Sequence, residues 1–191
     1  MTNVNPGVAS SSTNNLVQLM LDISTGIVYA QGVSVGILSS NLKGTTTNDN
    51  APTGYVGEII VSTVGSGGAQ SLTSPSGKTV TSMLLTAGDW DVDGTVDYTF
   101  GATTSITLLA CGVSDTANTL LAQTGSSNVG TDPNTNLAQP ASIPTAQPYS
   151  QATPTVRVSI AVSTTIYLVA QATFTASTIA AYGTLRARRV R

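Results

Sequence analysis

An all-β fold, specifically an antiparallel jelly-roll-like β-sandwich, is predicted by three features of the sequence. Apolar residues recur at every second position, in runs of strand length. Those runs are bounded by Gly, Pro, Asn, Asp or Ser, and they are filled with Thr, Val and Ile. Helical periodicity is hard to find.

The predicted strands are Tyr55–Val64, Lys78–Thr86, Trp90–Phe100, Ser105–Val113, Thr119–Gln123, Thr155–Val162, Thr165–Phe174 and Ile179–Val190. Strands this short and this regularly spaced suit a sandwich or barrel, and the eight-stranded version of the sandwich is a jelly roll. The clearest run is DWDVDGTVDYTF. Trp90, Val92, Val96, Tyr98 and Phe100 take even positions, while Asp89, Asp91, Asp93 and Asp97 take odd ones. Its opening also fits the D-x-D-x-D-G start of a calcium loop, but the twelfth position, which needs a bidentate acid, is Phe100. A strand with one carboxylate face is the reading that survives. A cation shared between that face and another strand or subunit is a lesser alternative.

Residues 1–54 differ from the rest. LVQLMLDISTGIVYA holds two apolar runs around Ser24-Thr25-Gly26, which reads as a small hairpin or turn between polar stretches. A segment with so little to bury orders on a partner or stays mobile. The division is therefore an N-terminal arm, 1–54, and a β domain, 55–191. The other irregular stretch is Gly125–Pro154, which holds Pro133, Pro140, Pro144, Pro148 and Pro154 and reads as a long connection, because proline donates nothing to a ladder.

Composition restricts function. Charged residues are only 8% of the 191, against roughly 25% in ordinary soluble chains, so hydroxyls and amides must cover the surface. Such a surface repels its neighbours weakly and favours assembly. Histidine is absent, which removes the commonest general base and zinc ligand and with them the Ser-His-Asp and Cys-His sites. The single cysteine, Cys111, lies in the apolar run SITLLACGV and reads as a small hydrophobe. The lone glutamate, Glu58, has no evident acid/base mate. Gly77-Lys78-Thr79 imitates a phosphate loop, yet Leu72 stands where that motif needs glycine. No enzyme, cofactor or metal site is expected. The start of the chain does not resemble an export signal and no run approaches a membrane span, so no membrane partner is expected and the site of synthesis is read as a host cytoplasm.

The C-terminus LRARRVR carries Arg186, Arg188, Arg189 and Arg191, four of the seven basic residues. A net charge of −2 and the lack of interleaved aromatics argue against nucleic acid. Charge pairing between these arginines and Asp89, Asp91, Asp93 and Asp97, across strands or subunits, is the expectation.

Three pieces, AGDWDVDGTVDYTF at 87–100, TIYLVAQATFT at 165–175 and AYGTLRARRVR at 181–191, together resemble small virion structural proteins of tailed bacteriophages. The likeness is to the jelly-roll modules of head decoration (cement) proteins and of fibre heads, and covers about residues 55–191. It implies a homotrimer on the capsid surface that binds the major capsid protein. Val17, Leu19, Leu21, Ile23, Ile27 and Val28 are the candidate anchors, as the apolar residues of an arm that otherwise has nothing to bury. The alternative is a trimeric tail-fibre or head-fibre receptor-binding module, presenting the Pro-rich loop with Tyr149 and Tyr182. A secreted carbohydrate-binding module would call for an export signal.

Overall fold

The computed structural model describes residues 47–120 and 148–191 in full, and the backbone alone of the strands at 18–22, 27–31 and 136–140. The chain divides into two compact units, 1–47 and 48–191. In the first, β1 (Gln18–Asp22) pairs antiparallel with β2 (Ile27–Gln31), with Leu19 opposite Ala30 and Leu21 opposite Val28. Val17 and Ile23, two of the six anchor candidates, lie outside the described residues.

The second unit is a sandwich of antiparallel sheets. Its strands are β3 (Ile59–Val64), β4 (Gln70–Ser71), β5 (Gly77–Leu85), β6 (Gly88–Phe100), β7 (Ser105–Ser114), β8 (Asn136–Pro140), β9 (Tyr149–Ala152), β10 (Val156–Ile160), β11 (Thr164–Thr175) and β12 (Ile179–Arg189). One sheet runs β10-β6-β12-β3, with β4 against β12 and β9 against β6; the other runs β5-β11-β7-β8. Strands pair as if a long hairpin had been folded over: β3 with β12, β5 with β11, β6 with β9 and β10, and β7 with β8. That wrapped order, with β12 then pairing β6 and β11 pairing β7, is the jelly roll.

The alternation read in the sequence decides which side of each strand is buried. Trp90, Val92, Val96 and Tyr98 of β6 are fully buried, as are Leu185 and Ala187 of β12 and Ile166 and Leu168 of β11. Leu109, Cys111 and Val113 of β7 close the core from the second sheet. The buried Tyr98 hydroxyl donates to the carbonyl of Ala110 at 2.8 Å, tying β6 in one sheet to β7 in the other. Glycine matters where β12 crosses β6. A Cβ on Gly183 would meet the Thr95 carbonyl oxygen at 2.0 Å.

Several sequence expectations need correction. The stretch 125–154 is not one connection: it contains β8, an edge strand that tolerates its terminal Pro140, and β9. The sixth strand of the jelly roll is thereby broken in two at Thr153-Pro154, because Pro154 cannot donate. There the Thr153 amide bonds the Gly94 carbonyl at 2.8 Å and the Gly94 amide bonds the Thr153 hydroxyl at 2.9 Å. Thr119 and Leu120, expected to start a strand, are irregular, and 121–123 lie outside the described residues.

Gly183→Ala should destabilise the sandwich by about 3 kcal/mol, since β6 and β12 must part to admit the methyl group. Gly67→Ala, where nothing lies within 4 Å of the added carbon, should fall within about 0.5 kcal/mol of wild type. Urea unfolding of both variants measures the difference.

Candidate functional site: the charged face and end of the larger sheet

The sequence puts carboxylates on the odd positions of β6, and Arg186 and Arg188 on even positions of β12. The sheet sets these two strands side by side. Arg186 lies opposite Asp93, Arg188 opposite Asp91 and Tyr182 opposite Asp97 in the register. On the other side of β6, Arg157 of β10 lies opposite Asp91 and Ser150 of β9 opposite Asp97. The outer face of this sheet thus carries an acidic column flanked by arginines on both sides.

Pairing within it is uneven. Asp89, mostly buried, receives Arg157 through Nε at 2.8 Å and Nη2 at 2.7 Å, and Arg191 through Nε at 2.7 Å. The hydrogen bond from Arg157 is the main reason its carboxyl is held below the usual range; the charges of both guanidinium groups add to this, against the opposing effect of burial. Asp93 takes a single bond from Arg186 at 2.8 Å, which in turn raises the Arg186 guanidinium. Asp97 accepts from the Ser150 hydroxyl rather than from an arginine. Arg188 and Asp91 stand side by side with no ion pair within 4.0 Å among the described residues. Both line a depression of about 420 Å³, together with Gly57, Ile59, Asp93, Thr155 and Arg186.

Arg189 does not join the aspartate row. It shares parity with Ile179, Ala181, Leu185 and Ala187, so its side chain turns inward at the end of the core, where it is 5% exposed. There it lies over the Trp90 ring at 4.2 Å. Its Nε bonds Glu58 Oε2 at 2.9 Å, its Nη1 bonds the Ala87 carbonyl at 3.0 Å, and its Nη2 bonds the Thr86 hydroxyl. Burial raises the Glu58 carboxyl, but the Gly54 amide, at 2.8 Å, and the Arg189 guanidinium outweigh it and leave it below the ordinary range. The ladder bonds around this pair, Gly57 N to Arg189 O and Arg189 N to Glu58 O, both 2.9 Å, hold the turn before β3 against the end of β12.

Two residues of this site carry little signal in the sequence. Glu58 reads there only as a solitary acid, and its role follows from the inward parity of Arg189, a buried cation that demands a buried anion. Arg157 had no signal beyond being the one arginine in β10. The tyrosines taken as accessible, Tyr149 and Tyr182, are only half exposed, and Tyr149 packs against the core. Burial pushes the Cys111 thiol up to about 12, so it is no nucleophile at neutral pH. Among the described residues no group of three His, Cys, Asp or Glu side chains could hold a metal ion, and no helix is long and apolar enough to cross a membrane.

No protein-family profile and no curated protein matches the chain. Among solved structures the chain is similar to one described as the structure of infectious bursal disease virus Gx strain, at 13% identity and a TM-score of 0.32. The match covers 70% of this chain and 32% of that one, a likeness too slight to argue from.

Arg189→Met should cost about 3 to 5 kcal/mol, because it leaves Glu58 charged and buried, whereas Glu58→Gln with Arg189→Met should cost less than the single change. A double-mutant cycle by chemical denaturation reads the coupling. Asp89 and Glu58 both titrate below their unfolded value of about 4, so the stability they contribute is complete above that pH and is lost as pH falls through their folded values. Thermal melts should show the wild type losing stability progressively as pH falls below about 5. Asp89→Asn should be less stable at neutral pH but decline less steeply.

Proposed function

We propose that this chain is a virion structural protein, a homotrimeric capsid decoration protein that seats on the major capsid shell and holds neighbouring capsid subunits together. The observation that carries the reading is the wrapped pairing of β3–β12, β5–β11, β6–β9/β10 and β7–β8 on a chain with almost no charge and no histidine. Jelly rolls serve widely as rigid shell and lectin modules. A hydroxyl-covered surface with few like charges to hold copies apart suits permanent assembly.

The role is mechanical. Three weak footholds joined in one rigid trimer bind more tightly than any one of them, by effective concentration. The β1–β2 hairpin, with Leu19, Leu21, Ile27 and Val28, is the proposed foothold on the shell. Chemistry is not part of this role, in keeping with the raised thiol of Cys111 and the engagement of Glu58 with Arg189.

Quantifying this chain against the major capsid protein in purified particles tests the proposal. A decoration protein should be present in hundreds of copies, on the order set by icosahedral occupancy. A handful per particle would instead assign the chain to a fibre, and absence from the particle would end the virion reading.

A further inference from the structure

Opposite charges on the outer face of the larger sheet form two adjoining columns, Arg186 and Arg188 on β12 and Asp93 and Asp91 on β6. Within one chain the columns do not neutralise each other evenly. Asp89 holds two guanidinium groups, while Asp91 and Arg188, direct neighbours in the register, make no ion pair among the described residues, and both border the depression of about 420 Å³. An unpaired arginine beside an unpaired aspartate is a surface that lacks both signs at once. A partner that completes it must present both, at the same spacing.

The face itself has that arrangement. Two-fold axes lying in the plane of contact can stack one copy on another in two ways. An axis across the strands sets β12 over β12 and faces arginine with arginine. An axis along the strands, between β12 and β6, sets β12 over β6 of the other copy. Arg188 then meets Asp91 and Arg186 meets Asp93, and each contact occurs twice. Both stackings keep the strand lines of the two sheets aligned, the way that twisted sheets pack, so it is the facing charges that select the second. Apolar surface lies beside the columns: Ile59 and Val61 on β3 are 38% and 55% exposed. With charge complementarity already fixing the register, those residues supply area to exclude water from the pairs.

We infer that the outer face of the larger sheet is a self-docking surface, on which a second copy of this chain seats through reciprocal Arg188–Asp91 contacts about a two-fold axis parallel to the strands. The contact is separate from the three-fold association proposed above and does not rest on the capsid role.

Reciprocal charge exchange in the full chain tests it. Sedimentation velocity should show wild type self-associating, more weakly as salt rises. Arg188→Asp and Asp91→Arg, each alone, should weaken that association at least about a hundredfold, because like charges then meet twice across the axis. An equimolar mixture of the two variants should associate again, since each copy then presents the sign that the other lacks. Circular dichroism checks that each variant is folded; should a reversal fail to fold, Arg188→Gln and Asp91→Asn replace it, and both should weaken association by a smaller factor. The inference is overturned if wild type shows no association at about 100 μM, a concentration at which contacts of even modest affinity are populated. It is equally overturned if all samples have the same mass, or if the mixture stays apart as its components do; the last two results would give the face to a different protein.

Discussion

Register between β6 and β12 is the constraint on which the rest of the sandwich depends. Their ladder runs from Ile179–Phe100 to Arg189–Trp90, along nearly the whole of both strands. Because side chains alternate, a slip of one residue would bring Asp91 and Asp93 into the core and turn Trp90 and Val92 out to water. Burying unpaired carboxylates is prohibitively costly, so the slipped states are empty. Gly183 makes the correct register possible at close range, with the Thr95 carbonyl where a side chain would otherwise sit. Everything placed by these strands, the outer columns of charge and the inner stack of apolar residues alike, follows from that single alignment.

Most of the charged side chains among the described residues gather in one region; Asp49, Lys78 and Asp115 lie apart from it. Among the described residues, Asp89, Asp91, Asp93, Asp97, Arg157, Arg186 and Arg188 share the outer side of one sheet, and Glu58, Arg189 and Arg191 gather at its end. The two groups act differently. Exposed pairs such as Arg186–Asp93 contribute little to stability and are suited to recognition. The buried pair Arg189–Glu58 closes the open end of the sandwich, where Trp90 would otherwise meet solvent, and does so with each guanidinium nitrogen engaged. Elsewhere the hydroxyl groups replace charge, as where Ser62 meets Thr81 at 2.7 Å and Thr63 meets Thr184 at 3.0 Å.

Much of the fold could be read directly because period two is a local signal. The alternation at Trp90–Phe100 and Ile179–Val190 carries strand, face and core together. What could not be read was set by partners distant in sequence. β8 and β9 are recognisable only through β7 and β6, since their own residues, NLAQP and YSQA, carry little strand preference. The inward turn of Arg189 was available from parity, yet its partner lies 131 residues away. Gln151 is a harder case: it is 3% exposed, and neither polar atom of its side-chain amide has a hydrogen-bond partner among the described residues. An amide in that position carries a desolvation cost, and no pattern in the sequence marks it. On the outer face, the aspartates and arginines were foreseen as facing groups, but which acid would take two arginines and which none depended on side-chain reach across three strands.

Cys111 sits at the middle of β7, sealed between β11 and β8, with no exposed surface and a thiol that ionises only near 12. A thiol so placed is silent toward alkylating and oxidising reagents while the sheets remain closed. Reaction requires the strands beside it to separate, and separation returns the group to water, where it ionises far more readily. The lone sulfhydryl is therefore a native reporter on opening of the sandwich, one that reacts only when β7 parts from its neighbours.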